Sequence, residues 1–221
     1  MLKYKTLFIL LNLNLQLMAQ QTYLALGDSY SIGEGLKIEK SWPFQLVKSL
    51  NSKGFNFDSP NIIAKTGWRT DELIQAIDEK LDDEKQFDLV SLLIGVNNQY
   101  QEKSLGQYKR EFKELLETAI LKSKHKKKGV FVVSIPDYGV TPFAKEKEKT
   151  NAIEDLKRYN KFAQKQCQKY GVAFYDITEL SAELSQNDDM LIEDRLHPNA
   201  KQYGAWVDSF LGNVLEQMNN E

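Results

Sequence analysis

Residues 87–94, Phe-Asp-Leu-Val-Ser-Leu-Leu-Ile, form a nearly continuous apolar run between polar segments. A strand wetted on one face alternates apolar and polar residues. One this apolar fits a parallel sheet covered by helices on both sides. The rest of the chain repeats the theme. Apolar runs at 22–26, 55–64, 129–135 and 172–175 read as further strands, the second interrupted by Pro60. Between and after them lie segments of helical period at 42–50, 70–81, 106–122, 152–170 and 200–218. Ser41 and Pro43 suit a helix start, as do Asp71 and Glu72, and Tyr108, Phe112, Leu115, Leu116 and Ala119 make one buried stripe. Strict strand–helix alternation predicts an α/β fold: a three-layer α/β/α sandwich with a central, mostly parallel five-stranded sheet. A length of 221 residues suits one core, here a single domain over residues 21–221.

The first 20 residues are set apart. Lys3 and Lys5 precede a leucine-rich stretch at 7–18 that is too short to span a bilayer, and Ala19 offers a small residue for cleavage. Residues 1–20 therefore read as a signal peptide, with the mature protein periplasmic or secreted. Asn12, Asn14 and Gln16 interrupt the run, and a buried first strand is the alternative. No second long apolar segment follows, so membrane insertion of the mature chain is not expected. Cys167, the single cysteine, cannot form an intramolecular disulfide and reads as a small core hydrophobe. With a net charge of -2, the basic run at 122–128 reads as a solvated helix end and loop, with His125 exposed, not as a nucleic-acid surface. Two histidines and no cysteine cluster suggest no metal site, and the turn after the first strand lacks the glycine pattern of a dinucleotide cofactor.

Chemistry-bearing residues gather at the ends of the apolar runs. Gly27-Asp28-Ser29 follows the first run, Gly67 the second, Gly95-Val96-Asn97-Asn98 the third, and Asp194-Arg195-Leu196-His197 precedes the last helix. In an open parallel sheet these carboxyl ends lie together however far apart they are in sequence. A serine, a carboxylate and an imidazole supply a nucleophile, an orienting group and a base for attack on an acyl carbon. Each has a plainer reading: a helix cap at Asp28 and Ser29, a solvated acidic loop at Asp188, Asp189, Glu193 and Asp194, a capped loop at His197. It is their combination that points to acyl chemistry.

Taken together, these segments resemble the four sequence blocks of the SGNH hydrolases, also called GDSL-like lipases and acylhydrolases. The blocks are Leu26 to Gly33 with its Gly-Asp-Ser, then Gly67, then Gly95 to Asn98, then Asp194 to His197, in family order. The resemblance implies a flavodoxin-like sandwich in which Ser29 is the nucleophile, His197 the base and Asp194 its orienting acid. It also implies an oxyanion site made of the Ser29 and Gly67 backbone N–H groups and the Asn97 side-chain amide. Glycine at 67 is expected to let the backbone approach closely. Asn98 departs from the family's usual aspartate, a change of acceptor capacity beside Asn97. No Gly-x-Ser-x-Gly elbow is present, which argues against the α/β-hydrolase fold.

The expected function is a serine esterase or acyl hydrolase that cleaves carboxylic esters through an acyl-enzyme, without cofactor or metal. Its substrate is a small-molecule, glycan or lipid ester. An exported carbohydrate O-acetyl esterase and an SGNH-fold binding protein of little activity are the alternatives. Tyr30, Trp68, Tyr100, Tyr138 and Phe143 lie near predicted strand ends and could wall the pocket or pack at loop roots.

Overall fold

The computed structural model describes residues 20–148 and 152–219. The expected signal peptide lies, except for Gln20, outside the described residues. Five strands, β1 (Tyr23–Asp28), β2 (Asn61–Lys65), β3 (Leu89–Leu93), β4 (Val130–Val133) and β5 (Ala173–Tyr175), form one sheet in the order β2-β1-β3-β4-β5. Every pairing is parallel. β1, β3 and β4 are buried at every position, as their unbroken apolar runs require.

The long helices are α2 (Trp42–Ser52), α3 (Thr70–Lys80), α5 (Leu105–Lys122), α7 (Ala152–Tyr170) and α9 (Ala200–Asn219). α2 packs with α9, while α5 packs with both α3 and α7, giving the two helical layers of the sandwich. An aromatic cluster joins the α2/α9 layer to the sheet: the Phe131 ring meets Trp42 at 6.3 Å, Phe210 at 6.0 Å and Tyr175 at 5.3 Å. Trp42 and Trp206 are completely buried.

Four short helices escaped the periodicity: α1 (Ser29–Ile32), α4 (Val96–Tyr100), α6 (Pro142–Glu146) and α8 (Thr178–Leu184). None is long enough to show a repeating apolar stripe. The expected strand at 55–64 is pared down to β2, because Pro60 supplies no N–H and Phe57 makes only an isolated bridge with Gln21. Cys167 is buried, as expected. The basic run is exposed at Lys124, Lys126, Lys127 and Lys128, as expected, but departs at two positions. Lys122 is not solvated: it is 7% exposed, and its Nζ donates to the Asp82 and Asp83 carbonyls. The long aliphatic stem is buried and the ammonium is met by these backbone carbonyls. His125 is half-buried, with Nε2 3.9 Å from Asp88.

β1 runs first to one neighbour, β2, and the chain then crosses back to place β3 on its other side. This reversal is the topological switch point of a doubly wound sheet, where a crevice opens beyond the strand ends.

Candidate active site

Three loops leave the sheet at the switch point, and each delivers an expected residue. β1 ends at Asp28, whose carboxylate caps α1 by accepting from the Tyr30 N–H at 3.1 Å. Both readings of this segment therefore hold: Asp28 is the cap, and Ser29, next to it, faces the crevice. Gly27 makes the tight exit possible. A Cβ there would stand 2.1 Å from Ser31 Oγ and 2.6 Å from the Leu93 carbonyl oxygen.

The Asp194–His197 segment is shaped as a small hairpin. Leu191 and Pro198 form an antiparallel bridge, Ile192 N–H donates to the His197 carbonyl, and Arg195 sits at the turn with φ 58°. Asn199 then caps α9 by accepting from the Lys201 and Gln202 N–H groups. Within the hairpin, Asp194 Oδ1 accepts from the Leu196 and His197 N–H groups, at 2.8 and 2.9 Å. Its Oδ2 lies 2.6 Å from His197 Nδ1. Burial pushes this carboxyl up, but the hydrogen bonds from the His197 ring and from the two backbone N–H groups outweigh it, and the carboxylate is held below its ordinary range.

His197 Nε2 lies 3.0 Å from Ser29 Oγ, across 168 residues of sequence. An ionised Asp194 can only accept, so it fixes the imidazole proton on Nδ1 and leaves Nε2 as the acceptor facing the serine hydroxyl. Tyr30 supports the ring from below at 5.3 Å between centroids. Glu193, the neighbouring acid, is exposed.

Gly67 and Asn97 line the same crevice as Ser29 and His197. Glycine at 67 also answers a backbone requirement. A Cβ there would meet no protein atom within 4 Å, and the φ of 81° lies in a region that side chains other than glycine's rarely adopt. Asn97 Nδ2 donates to the Trp68 carbonyl at 3.0 Å, which fixes the amide and leaves its second N–H uncommitted to that bond. Asn98 turns away from the crevice. Fully buried, it accepts from the Thr70 N–H at 3.0 Å and donates to Thr70 Oγ1 at 2.7 Å. Thr70 Oγ1 in turn donates to Glu111.

The crevice is a cavity of about 280 Å³. Tyr30, Tyr100, Tyr138 and Phe143 wall it, together with Val96 and Leu196; Trp68 does not, and packs instead against the core with Lys80 Nζ 5.3 Å from its ring centre. Gln101 also lines it, a residue that no sequence pattern marked. A second cleft of about 490 Å³ shares Tyr100 and Tyr138 and is edged by Lys103, Asp155 and Arg158. Among the described residues no group of three histidine, cysteine or acidic side chains could hold a metal ion.

The arrangement can therefore raise the nucleophilicity of a buried serine and offer fixed donors beside it. Solved structures share the fold at low identity. TesA matches with a TM-score of 0.68 at 18% identity over 89% of this chain and 99% of that one. Axe2, an acetylxylan esterase from Geobacillus stearothermophilus, gives 0.66 at 18% over 88% and 94%. The psychrotrophic esterase EstA from Pseudoalteromonas sp. gives 0.63 at 15% over 91% and 100%. No curated protein matches the sequence. The sequence of residues 25–205 does match a family as a whole, and by that match the chain belongs to the GDSL-like lipase/acylhydrolase family.

Proposed function

We propose that this hydrolase-family member is a serine esterase working through a covalent acyl-enzyme. The observation that carries the reading is the unbroken line Asp194 Oδ2–His197–Ser29 Oγ, with steps of 2.6 and 3.0 Å. Ser29 Oγ attacks the ester carbonyl carbon while His197 Nε2 takes its proton. The carbonyl electron pair moves to oxygen, where the N–H groups of Ser29 and Gly67 and the free N–H of Asn97 stabilise it. Collapse expels the alcohol, which takes the proton from His197. Water then repeats the attack on the acyl-Ser29, with His197 again taking the proton, and the acid leaves as Oγ recovers it.

The favoured substrate is a short acyl group on a polar alcohol. The adjoining cleft carries Lys103, Asp155 and Arg158, which suit hydroxyl-rich groups better than a lipid chain. The acetylxylan esterase among the structural neighbours supports the same reading. We also propose that residues 1–20 direct export and are removed; a mature mass retaining residues 2–18 in protein from the native host refutes this.

Fluorophosphonate labelling followed by peptide mapping tests the mechanism. Label on Ser29, absent from Ser29→Ala, is expected; label elsewhere or none overturns it. A series of p-nitrophenyl esters tests the acyl preference, with acetate and propionate expected to exceed octanoate in kcat/KM.

A further inference from the structure

The loop that presents Gly67 is held by a side chain, Gln101, to which neither the sequence blocks nor the line of Asp194, His197 and Ser29 assigns a part. Lys65 to Trp68 forms a turn closed by the Trp68 N–H to the Lys65 carbonyl at 3.2 Å, with Gly67 at its third position and φ of 81°. Glycine there is conformationally free, so the turn needs an external tether to hold its peptides in one orientation. Two carboxamides from one turn of helix supply it. Asn97 Nδ2 donates to the Trp68 carbonyl at 3.0 Å, and Gln101 Nε2 donates to the Gly67 carbonyl at 2.9 Å. The residues are four apart, the spacing that aligns side chains on one helical face.

The Gln101 amide has only one sensible orientation. Arg69 Nη1 donates to its Oε1 at 2.7 Å, and a guanidinium cannot accept. Its Nε2 therefore points at the carbonyl of Gly67, which cannot donate. Arg69 is itself fixed by Asp71 at 2.9 and 3.0 Å and by Glu72 at 3.1 Å. A chain of matched donors and acceptors thus runs from the start of α3 through Arg69 and Gln101 to the glycine.

We propose that Gln101 is a positioning residue for the oxyanion site: it fixes the Gly67 turn so that the Gly67 N–H points at the reacting carbonyl. The proposal rests on the esterase reading above. The bond it makes is exposed and acts through the backbone, so the loss should be smaller than the 10²–10³-fold typical of deleting an oxyanion donor, about tenfold in kcat.

The test compares wild type, Gln101→Ala and Gln101→Glu with p-nitrophenyl acetate, each titrated for labelled serine by fluorophosphonate and checked by thermal unfolding. Gln101→Glu keeps the size and the Arg69 contact but turns an acceptor toward the Gly67 carbonyl. Both variants should lose about tenfold in kcat per labelled site, with KM within about twofold and little change in Tm. Unchanged kcat in either folded variant overturns the proposal. So does a rise in KM alone, which would make Gln101 a substrate contact. If wild type itself neither hydrolyses nor labels, the esterase reading fails first and takes this one with it.

Discussion

Replacing Asp28 by asparagine should stabilise the protein progressively as the pH rises. Asp28 is completely buried beneath α1; its Oδ1 caps Tyr30, and its Oδ2 has no hydrogen-bond partner among the described residues. Burial pushes the carboxyl from 3.8 up to about 7, against a smaller downward pull from the Tyr30 N–H. The native state therefore keeps a proton that the unfolded chain has already released. Its full stabilising effect is present below the ordinary aspartate value, and it is lost as the pH climbs through about 7. Integrated between pH 5 and pH 8, a shift of this size amounts to about 2.5 kcal/mol. Asparagine is neutral throughout and can still cap Tyr30 through its oxygen, so the variant lacks this slope. Its unpartnered N–H₂ costs something, on the order of 1–3 kcal/mol, but equally at every pH. Urea unfolding of both proteins at pH 5, 6, 7 and 8 reads the difference, which should move by about 2.5 kcal/mol in favour of the variant. Two stability curves that run parallel across this range would refute the idea of a carboxyl held neutral by burial.

Three further outcomes follow from the site. Asn97→Ala should lower kcat by about 10²–10³ with KM nearly unchanged, read by steady-state kinetics. A change confined to KM would reassign Asn97 to the binding pocket. Asp194→Asn should reduce turnover sharply by misdirecting the His197 tautomer, whereas Glu193→Gln should leave it near wild type; the reverse pattern would mean the wrong acid had been chosen. Asn98→Asp should destabilise the fold by about 1–3 kcal/mol, because a carboxylate cannot donate to Thr70 Oγ1 while that hydroxyl donates to Glu111. Adding Glu111→Gln supplies the missing donor, so a double-mutant cycle should recover much of the loss; strictly additive effects would contradict the pairing.

The parallel order of the core was legible because β1, β3 and β4 are buried on both faces and so cannot hide their apolar runs. The helix at 152–170 was legible to the residue. The gathering of Ser29, Gly67, Asn97, Asp194 and His197 was legible for a different reason: they stand in short blocks at loop roots. What stayed hidden depends on partners remote in sequence. Gln101 binds a backbone carbonyl, and a carbonyl leaves no trace in the sequence. Asn98 looked like a weakened aspartate until Thr70 and Glu111 stood beside it. Lys122 looked solvated because composition cannot reveal that the Asp82 and Asp83 carbonyls wait at the end of its stem. For Gly67 the sequence could not show the backbone torsion, φ 81°, that also selects glycine there.

The sequence separation of 168 between Ser29 and His197 also sets an order of events in time. During synthesis Ser29, Gly67 and Asn97 emerge well before His197. The hairpin that carries His197 leads directly into α9, and α9 packs against α2 from the first third of the chain. A contact that spans so much sequence forms late, after the entropy of closing the loop has been overcome. A chain lacking its last helix would keep His197 but lose the α2–α9 packing that follows its hairpin, so the imidazole should not be held against Ser29. Under the proposed mechanism, reactivity toward a phosphonate should then act as a clock for the final docking step, rising as the hairpin of His197 meets Ser29.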